Sequence, residues 1–223
     1  MKTLVFTAKG EYARFRCAYT TTSALTYMVI HPLAVKGIIG AIMGIDYKDL
    51  FEYTKDMKIG IQVLNPVYKD MQSFNLIPQK SSNNSPRFPS RIEFLRNVKY
   101  RIFLSCDEEK LEKIKDILIS REYNFTPYFG CSEHIAKLDF ESMQDSNILD
   151  ADKIKVDTII PVKKLLTNEI TEEINLYTDK IPIKNDINRE YTEYCKIIFS
   201  NEGNLYCKDC SIYKVGEYNV YYL

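Results

Sequence analysis

The feature that most narrows the fold is the order in which two hydrophobic periods alternate along the first two thirds of the chain. Lys2 to Ala8 alternates apolar and polar side chains and is rich in β-branched and aromatic types, the period-two pattern of a strand. Gly10 is expected to break it. Residues 12–16 then run on extended, with Ala13 and Phe15 on one side and Arg14 and Arg16 on the other. After a polar run at 20–23, Pro32 is placed to open a helix at its first position, where a missing N–H costs nothing. That helix reaches about Met43 and carries Gly37 and Gly40, with Gly44 just beyond. Glycine costs a helix up to about 1 kcal/mol each against alanine, so something is expected to approach this one closely.

A strand over 57–64 follows, and then the character of the chain changes. Residues 65–91 hold four prolines, the run Ser81-Ser-Asn-Asn-Ser85 and scattered apolar side chains. Internal loops longer than about 15 residues are usually functional or disordered. A strand returns over 98–105. Asp107 is placed as an N-cap, with Glu108 and Glu109 in the first turn, where the helix dipole favours acids. Leu111, Ile114, Ile117 and Leu118 form one helical stripe. Residues 136–141 alternate again. The order is strand, helix, strand, insertion, strand, helix, strand. It predicts an α+β, ferredoxin-like βαββαβ domain over residues 1–150, an order shared with the RRM, whose sheet commonly binds RNA. Residues 151–223 read as a small β-rich extension: a strand over 157–163, a hairpin of 195–199 with 205–208 around Asn201-Glu-Gly-Asn204, and a closing strand from Tyr218.

Charge is divided along the chain. Residues 1–105 hold 15 Lys+Arg against 7 Asp+Glu, and residues 106–223 hold 15 against 23, within a net charge of zero. One reading is chance segregation; the other is that the first half offers a basic face to a polyanion. No apolar stretch approaches the roughly 18 residues of a membrane helix, and the N-terminus has no signal-peptide pattern. A cytoplasmic protein with no membrane partner is expected, with its six cysteines free and mostly buried.

Three stretches resemble one family. They are Gly10-Glu-Tyr-Ala-Arg-Phe-Arg16 with Thr-Thr-Ser-Ala-Leu-Thr-Tyr27 and Pro32-Leu-Ala-Val-Lys-Gly-Ile-Ile-Gly-Ala-Ile-Met-Gly-Ile45; Arg91-Ile-Glu-Phe-Leu-Arg-Asn-Val-Lys-Tyr-Arg101; and Thr126-Pro-Tyr-Phe-Gly-Cys-Ser-Glu133. Together they resemble the CRISPR-associated "Cas-five" family of repeat-associated mysterious proteins, subtype I-B or a close relative. The resemblance implies a ferredoxin-like palm with a long β-hairpin thumb at about 65–97. It implies a non-catalytic role, binding and capping the five-prime handle of the guide RNA in a Cascade complex for antiviral defence. The implied partners are that RNA, the backbone subunit and the large subunit, with target DNA nearby.

The candidate RNA-binding residues each have a plainer reading. Arg14 and Arg16 suit phosphate because guanidinium forks donate paired hydrogen bonds, yet they also suit an ordinary charged strand face. Thr20, Thr21, Thr22 and Ser23 offer hydroxyls to phosphate or 2′-OH, or make a simple turn. Lys36 and Gly37 lie near a helix N-terminus, which attracts phosphate, while Gly40 and Gly44 suit packing. Tyr27, Tyr68, Phe74 and Phe88 can stack on unpaired bases or fill a core. Arg87, Arg91, Arg96 and Lys99 continue the basic character.

Cys207-Lys-Asp-Cys210 is a lone CxxC; zinc would need Cys195 as a third ligand and a fourth that is not evident. No cofactor motif stands out. One subtype of the resembled family, I-C, cleaves guide precursors with a Tyr/Lys/His set in which Lys and His are adjacent. No such pair occurs here, and His134 with Lys137 and Tyr128 is the nearest substitute. Two alternatives to the gripping role therefore stand: a metal-independent endoribonuclease, and a scaffold that docks only protein.

Overall fold

The computed structural model describes residues 1–20, 24–77, 87–149, 153–166, 175–202, 205–208 and 211–223. β1 (Lys2–Ala13) is the centre of the molecule. It pairs antiparallel with β4 (Phe88–Ser105) on one side and β5 (Lys137–Leu149) on the other, and β2 (Lys58–Val63) pairs with the far edge of β4. The sheet is completed by β11 (Ile212–Val215) and β12 (Tyr218–Val220), in the order β12-β11-β5-β1-β4-β2. The result is a mixed α+β, strand-dominated fold. Gly10 does not end β1 as its residue type suggested. It pairs with Val98 inside the ladder, and a Cβ there would lie 2.9 Å from the Phe129 ring. It is a close-approach glycine in a strand rather than a breaker.

The strand period sorts the side chains onto two faces. Leu4, Phe6 and Ala8 of β1 and Val98, Tyr100, Ile102 and Leu104 of β4 join the main core. Onto that face pack α1 (Pro32–Met43), through Val35, Ile38, Ile39 and Ile42, and α3 (Glu108–Ser120), through Leu111, Ile114 and Leu118. α2 (Leu50–Thr54) is a short turn of helix between them in sequence. Val5 and Phe103 face the other way and are covered by Val215 and Val220, with Tyr213, Tyr218 and Tyr222 packed against them. The last residues close over β2: Leu223 N–H donates to the Ile59 carbonyl, and a Cβ on Gly60 would meet Val220 at 2.5 Å. The sheet face that an RRM leaves open to RNA is thus occupied by the chain itself.

The proline-rich insertion contains a hairpin. β3 (Tyr68–Leu76) pairs residue for residue with the first half of β4, from Tyr68 opposite Arg96 to Leu76 opposite Phe88. Nine residues extend about 30 Å. At its base Glu93 accepts from Lys69 Nζ (3.0 Å) and from Thr26 N–H (3.1 Å), fixing residues 24–27 to the hairpin.

After residue 150 two nine-residue strands stand among shorter ones, and two expectations need correction. The strand over 157–163 is instead β6 (Ile154–Val156), β7 (Ile160–Pro161) and a 3-10 turn, Val162–Lys164; Pro161 has no N–H with which to continue a ladder. The hairpin of 195–199 with 205–208 does not form. β9 (Tyr191–Phe199) pairs with β7 and with β8 (Tyr177–Asn185), while β10 (Leu205–Cys207) pairs with β6. Burial decides this, because Leu205 and Cys207 fill a small cluster with Ile154 and Val156. Ile159, Ile181, Ile197 and Phe199 belong to the main core.

Candidate nucleic-acid interface

Where β1 ends, alternation buries Ala13 and Phe15 and leaves Arg14 half-buried and Arg16 exposed. The loop after α3 braces this segment. Arg14 N–H donates to the Phe129 carbonyl (3.0 Å), and Gly130, at φ 82, lies so close that a Cβ would sit 1.8 Å from the Arg14 carbonyl oxygen. Arg14 Nε is buried without a hydrogen-bond partner. The third family-like stretch therefore holds the first in place.

α1 is capped by His31, whose Nδ1 accepts from the Ala34 N–H (3.2 Å). Burial lowers the His31 pKa to about 3, so the imidazole is neutral and can cap the helix. Two turns of α1 divide their glycines by use. A Cβ on Gly40 would meet Leu50 at 2.4 Å, whereas Gly37 has open space before it. Burial also pulls the Lys36 ammonium below its ordinary range, with Asp56 opposing.

These parts wall a cleft of about 710 Å³. Arg14, Arg16, Lys36 and Arg189 line it, together with the rings of Tyr47, Phe51, Phe125, Tyr128 and Tyr191, and among the described residues no aspartate or glutamate does. Among the described residues none of the four cations is ion-paired. A half-buried cation with no ion-pair partner, as Arg14 and Lys36 are among the described residues, is costly unless an anion joins it. The arrangement therefore suits a polyanion threaded past aromatic faces.

The structure brings Arg14, Arg16, Lys36, Gly37 and Tyr128 to this cleft. Thr20 is spent locally, its hydroxyl donating to the Cys17 carbonyl (2.9 Å), and Thr21, Thr22 and Ser23 lie outside the described residues. Tyr27 is fully buried in the main core, which rules it out as a stacking platform. Its position behind Phe15 and β1 gave it a core to fill. Tyr68 and Phe74 are exposed on β3, and Arg87, Arg91 and Arg96 are exposed along the same hairpin. Lys99 is partly exposed; the Phe88 side chain lies outside the description.

Among the described residues no hydrogen bond joins His134, Lys137 and Tyr128 to one another. The His134 ring packs against Phe94 (5.2 Å) and Tyr12 (6.0 Å), Lys137 pairs with Lys9 across β5 and β1, and Tyr128 faces the cleft without His134. Burial, and secondarily the Arg14 charge, lower the His134 pKa. Cys207 is disulfide-bonded, correcting the expectation of free thiols, while Cys17, Cys106, Cys131 and Cys195 are free and Cys210 lies outside the described residues. A sulfur held in a disulfide is no thiolate ligand. Among the described residues no three His, Cys, Asp or Glu stand where a metal could be held, and no helix is long and apolar enough to cross a membrane.

Arg189 was not legible as a site residue. It lies in the acidic half of the chain, and only the fold carries the β8–β9 turn to α1.

The model of the family described as CRISPR-associated protein (Cas_Cas5) matches residues 3–172. Among solved structures, the chain is similar to one described as a CRISPR RNA-guided surveillance complex, at 14% identity and a TM-score of 0.56 over 91% of each chain. It is similar to a CRISPR protein from Archaeoglobus fulgidus at 12% identity and 0.57, covering 99% of this chain and 98% of that one. A chain of a Type III-B Cmr-beta complex bound to cognate target RNA and AMPPnP matches at 15% and 0.50, covering 93% and 86%. At these identities the likeness is one of fold. No functionally curated protein matches the chain.

Proposed function

Because the chain belongs to the CRISPR-associated protein family (Cas_Cas5), we propose that it is a non-catalytic subunit of a type I, Cascade-type effector that binds and caps the five-prime handle of the guide RNA. The observation that carries this reading is the cleft that, among the described residues, is lined by four cations without ion pairs and by no carboxylate. The β5-β1-β4-β2 order with α1 and α3 on one face supports a ferredoxin-like palm, and the β3–β4 hairpin supports its thumb. The exposed Tyr68, Phe74 and Arg91 of that hairpin suit the RNA or the neighbouring backbone subunit. The large subunit and target DNA are the further partners of this reading, and the cytoplasm is its place. A gripping rather than cutting role is favoured because His31 is used as a helix cap and the His134 ring packs against Phe94 and Tyr12, with its Nδ1 buried and unpartnered among the described residues.

The test is RNA binding by the full chain in a salt series. Each phosphate contact to a single strand contributes about 0.7 to the slope of log affinity against log salt. Arg14→Ala with Arg16→Ala should weaken binding to repeat-derived RNA and flatten the slope by about 1.4. Binding and slope unchanged from the parent would overturn the assignment. The same RNA incubated with the parent without metal should stay intact, and cleavage lost in His134→Ala would replace gripping with endoribonuclease action.

A further inference from the structure

Three of the residues that line the cleft come from the β8–β9 hairpin: Asn185 ends β8, Arg189 lies in the turn and Tyr191 opens β9. They lie beyond residues 3–172, the span matched by the family's model. The turn has a built shape. Asp186 closes it on itself: its N–H donates to the Glu190 carbonyl (3.0 Å), its carbonyl accepts from the Arg189 N–H (3.0 Å), and its Oδ1 accepts from the Glu190 N–H (2.9 Å). Asp186 and Glu190 are the acids of this turn, and neither lines the cleft.

The turn is also anchored to the site. The Tyr191 ring meets His31 edge-on at 5.7 Å, and Asp179 of β8 accepts from the Met28 N–H at 2.7 Å. Arg189 itself is held at φ 67. A side chain with a Cβ is disfavoured there, and glycine or asparagine would be cheaper. A charged, exposed residue with no ion-pair partner among the described residues stands in a conformation suited to glycine, at the mouth of an anion-suited cleft.

We propose that Arg189 is a fourth phosphate ligand of this site, by which the second half of the chain clamps the same single RNA strand that Arg14, Arg16 and Lys36 hold. The proposal rests on the RNA-binding reading above. The chemistry recognised is the phosphodiester backbone, for which a guanidinium fork offers two parallel hydrogen bonds and a lysine only a point charge.

The test uses the full chain and a fluorescein-labelled single-stranded RNA of the repeat sequence, titrated by anisotropy across a series of KCl concentrations. Arg189→Ala and Arg189→Gly should each lose about 3- to 10-fold in affinity at low salt and lower the salt slope by about 0.7, while Arg189→Lys keeps the slope and loses less affinity. Arg189→Gly should melt at or above the parent's temperature, since it relieves the backbone, so that stability and affinity move apart. Arg189→Ala and Arg189→Gly with parental affinity and slope, while Arg14→Ala/Arg16→Ala is weakened, would overturn the clamp and leave the RNA reading standing. Indifference of all these variants would overturn both. Parental RNA binding by Arg189→Ala together with lost capture of the purified partner subunits would assign the residue to a protein contact and end the proposal.

Discussion

At His31 one imidazole has to stay uncharged for three reasons. Its Nδ1 must keep a lone pair to accept from the Ala34 N–H, it stands at the positive end of α1, and it is enclosed by the rings of Phe15, Tyr27 and Tyr191. Its pKa is correspondingly lowered to about 3, against about 6.5 in an unfolded chain. Between those values the unfolded chain binds the extra proton, so stability falls as pH falls, by up to about 1.4 kcal/mol per pH unit, and is unaffected by this group above about pH 6.5. His134 shifts in the same direction, as do the salt-bridged Asp56 and Asp139 at lower pH. His31→Asn isolates the one contribution. Asparagine keeps the cap but loses the ring contacts, so the variant should be about 1–3 kcal/mol less stable at pH 7 yet lose less than the parent between pH 7 and pH 5. Urea midpoints at the two pH values decide it, and parallel losses in parent and variant would show that His31 is not held neutral.

At the scale of elements, what positions the site is the junction between the end of β1 and the loop carrying Phe129 and Gly130. Gly130→Ala puts a methyl into the Arg14 carbonyl at a positive φ. The expected cost is about 3 kcal/mol or more, read as a lowered urea midpoint, with RNA affinity falling alongside because Arg14 moves. Full retention of stability would mean that the loop does not brace β1. The strands and helices of residues 1–149 were legible because period-two and period-3.6 patterns are local, and Asp107 and Pro32 mark helix starts by local chemistry. The same local alternation placed Arg14 and Arg16 opposite the buried Ala13 and Phe15, and the fold puts both on the cleft wall. The register of β10 was not legible, since Leu205 and Cys207 chose β6 through burial against Ile154 and Val156, a contact between distant segments. Arg189 was hidden by the same cause: a lone cation in a polar turn says nothing until the turn is placed beside α1. Tyr27 was misread because an aromatic near basic residues looks the same in sequence whether it faces a base or a core.

For the molecule as a whole, the division of charge has a structural use beyond a basic face. Lys2 pairs with Glu108, Lys9 with Asp139 and Arg101 with Glu141, so acids of the second half neutralise cations of the first across the sheet and its edges. Among the described residues Arg14, Arg16 and Lys36 have no ion pair, which leaves unspent positive charge in the cleft on the helix side, as Arg87, Arg91 and Arg96 do along the hairpin. The opposite face of the sheet is sealed by β11, β12 and the residues after them. RNA bound to the open sheet of an RRM and RNA bound in the α1 cleft make opposite predictions for that seal. Val220 is fully buried over Val5 and Phe103. Val220→Ala should cost about 2 kcal/mol of stability from lost methyl burial and the cavity left behind, and RNA affinity should stay within about twofold of the parent, less than about 0.4 kcal/mol. If loosening this seal raised the affinity instead, the sheet face would be competing with the chain's own last strand for RNA. The cleft would then lose its claim to be the principal binding surface.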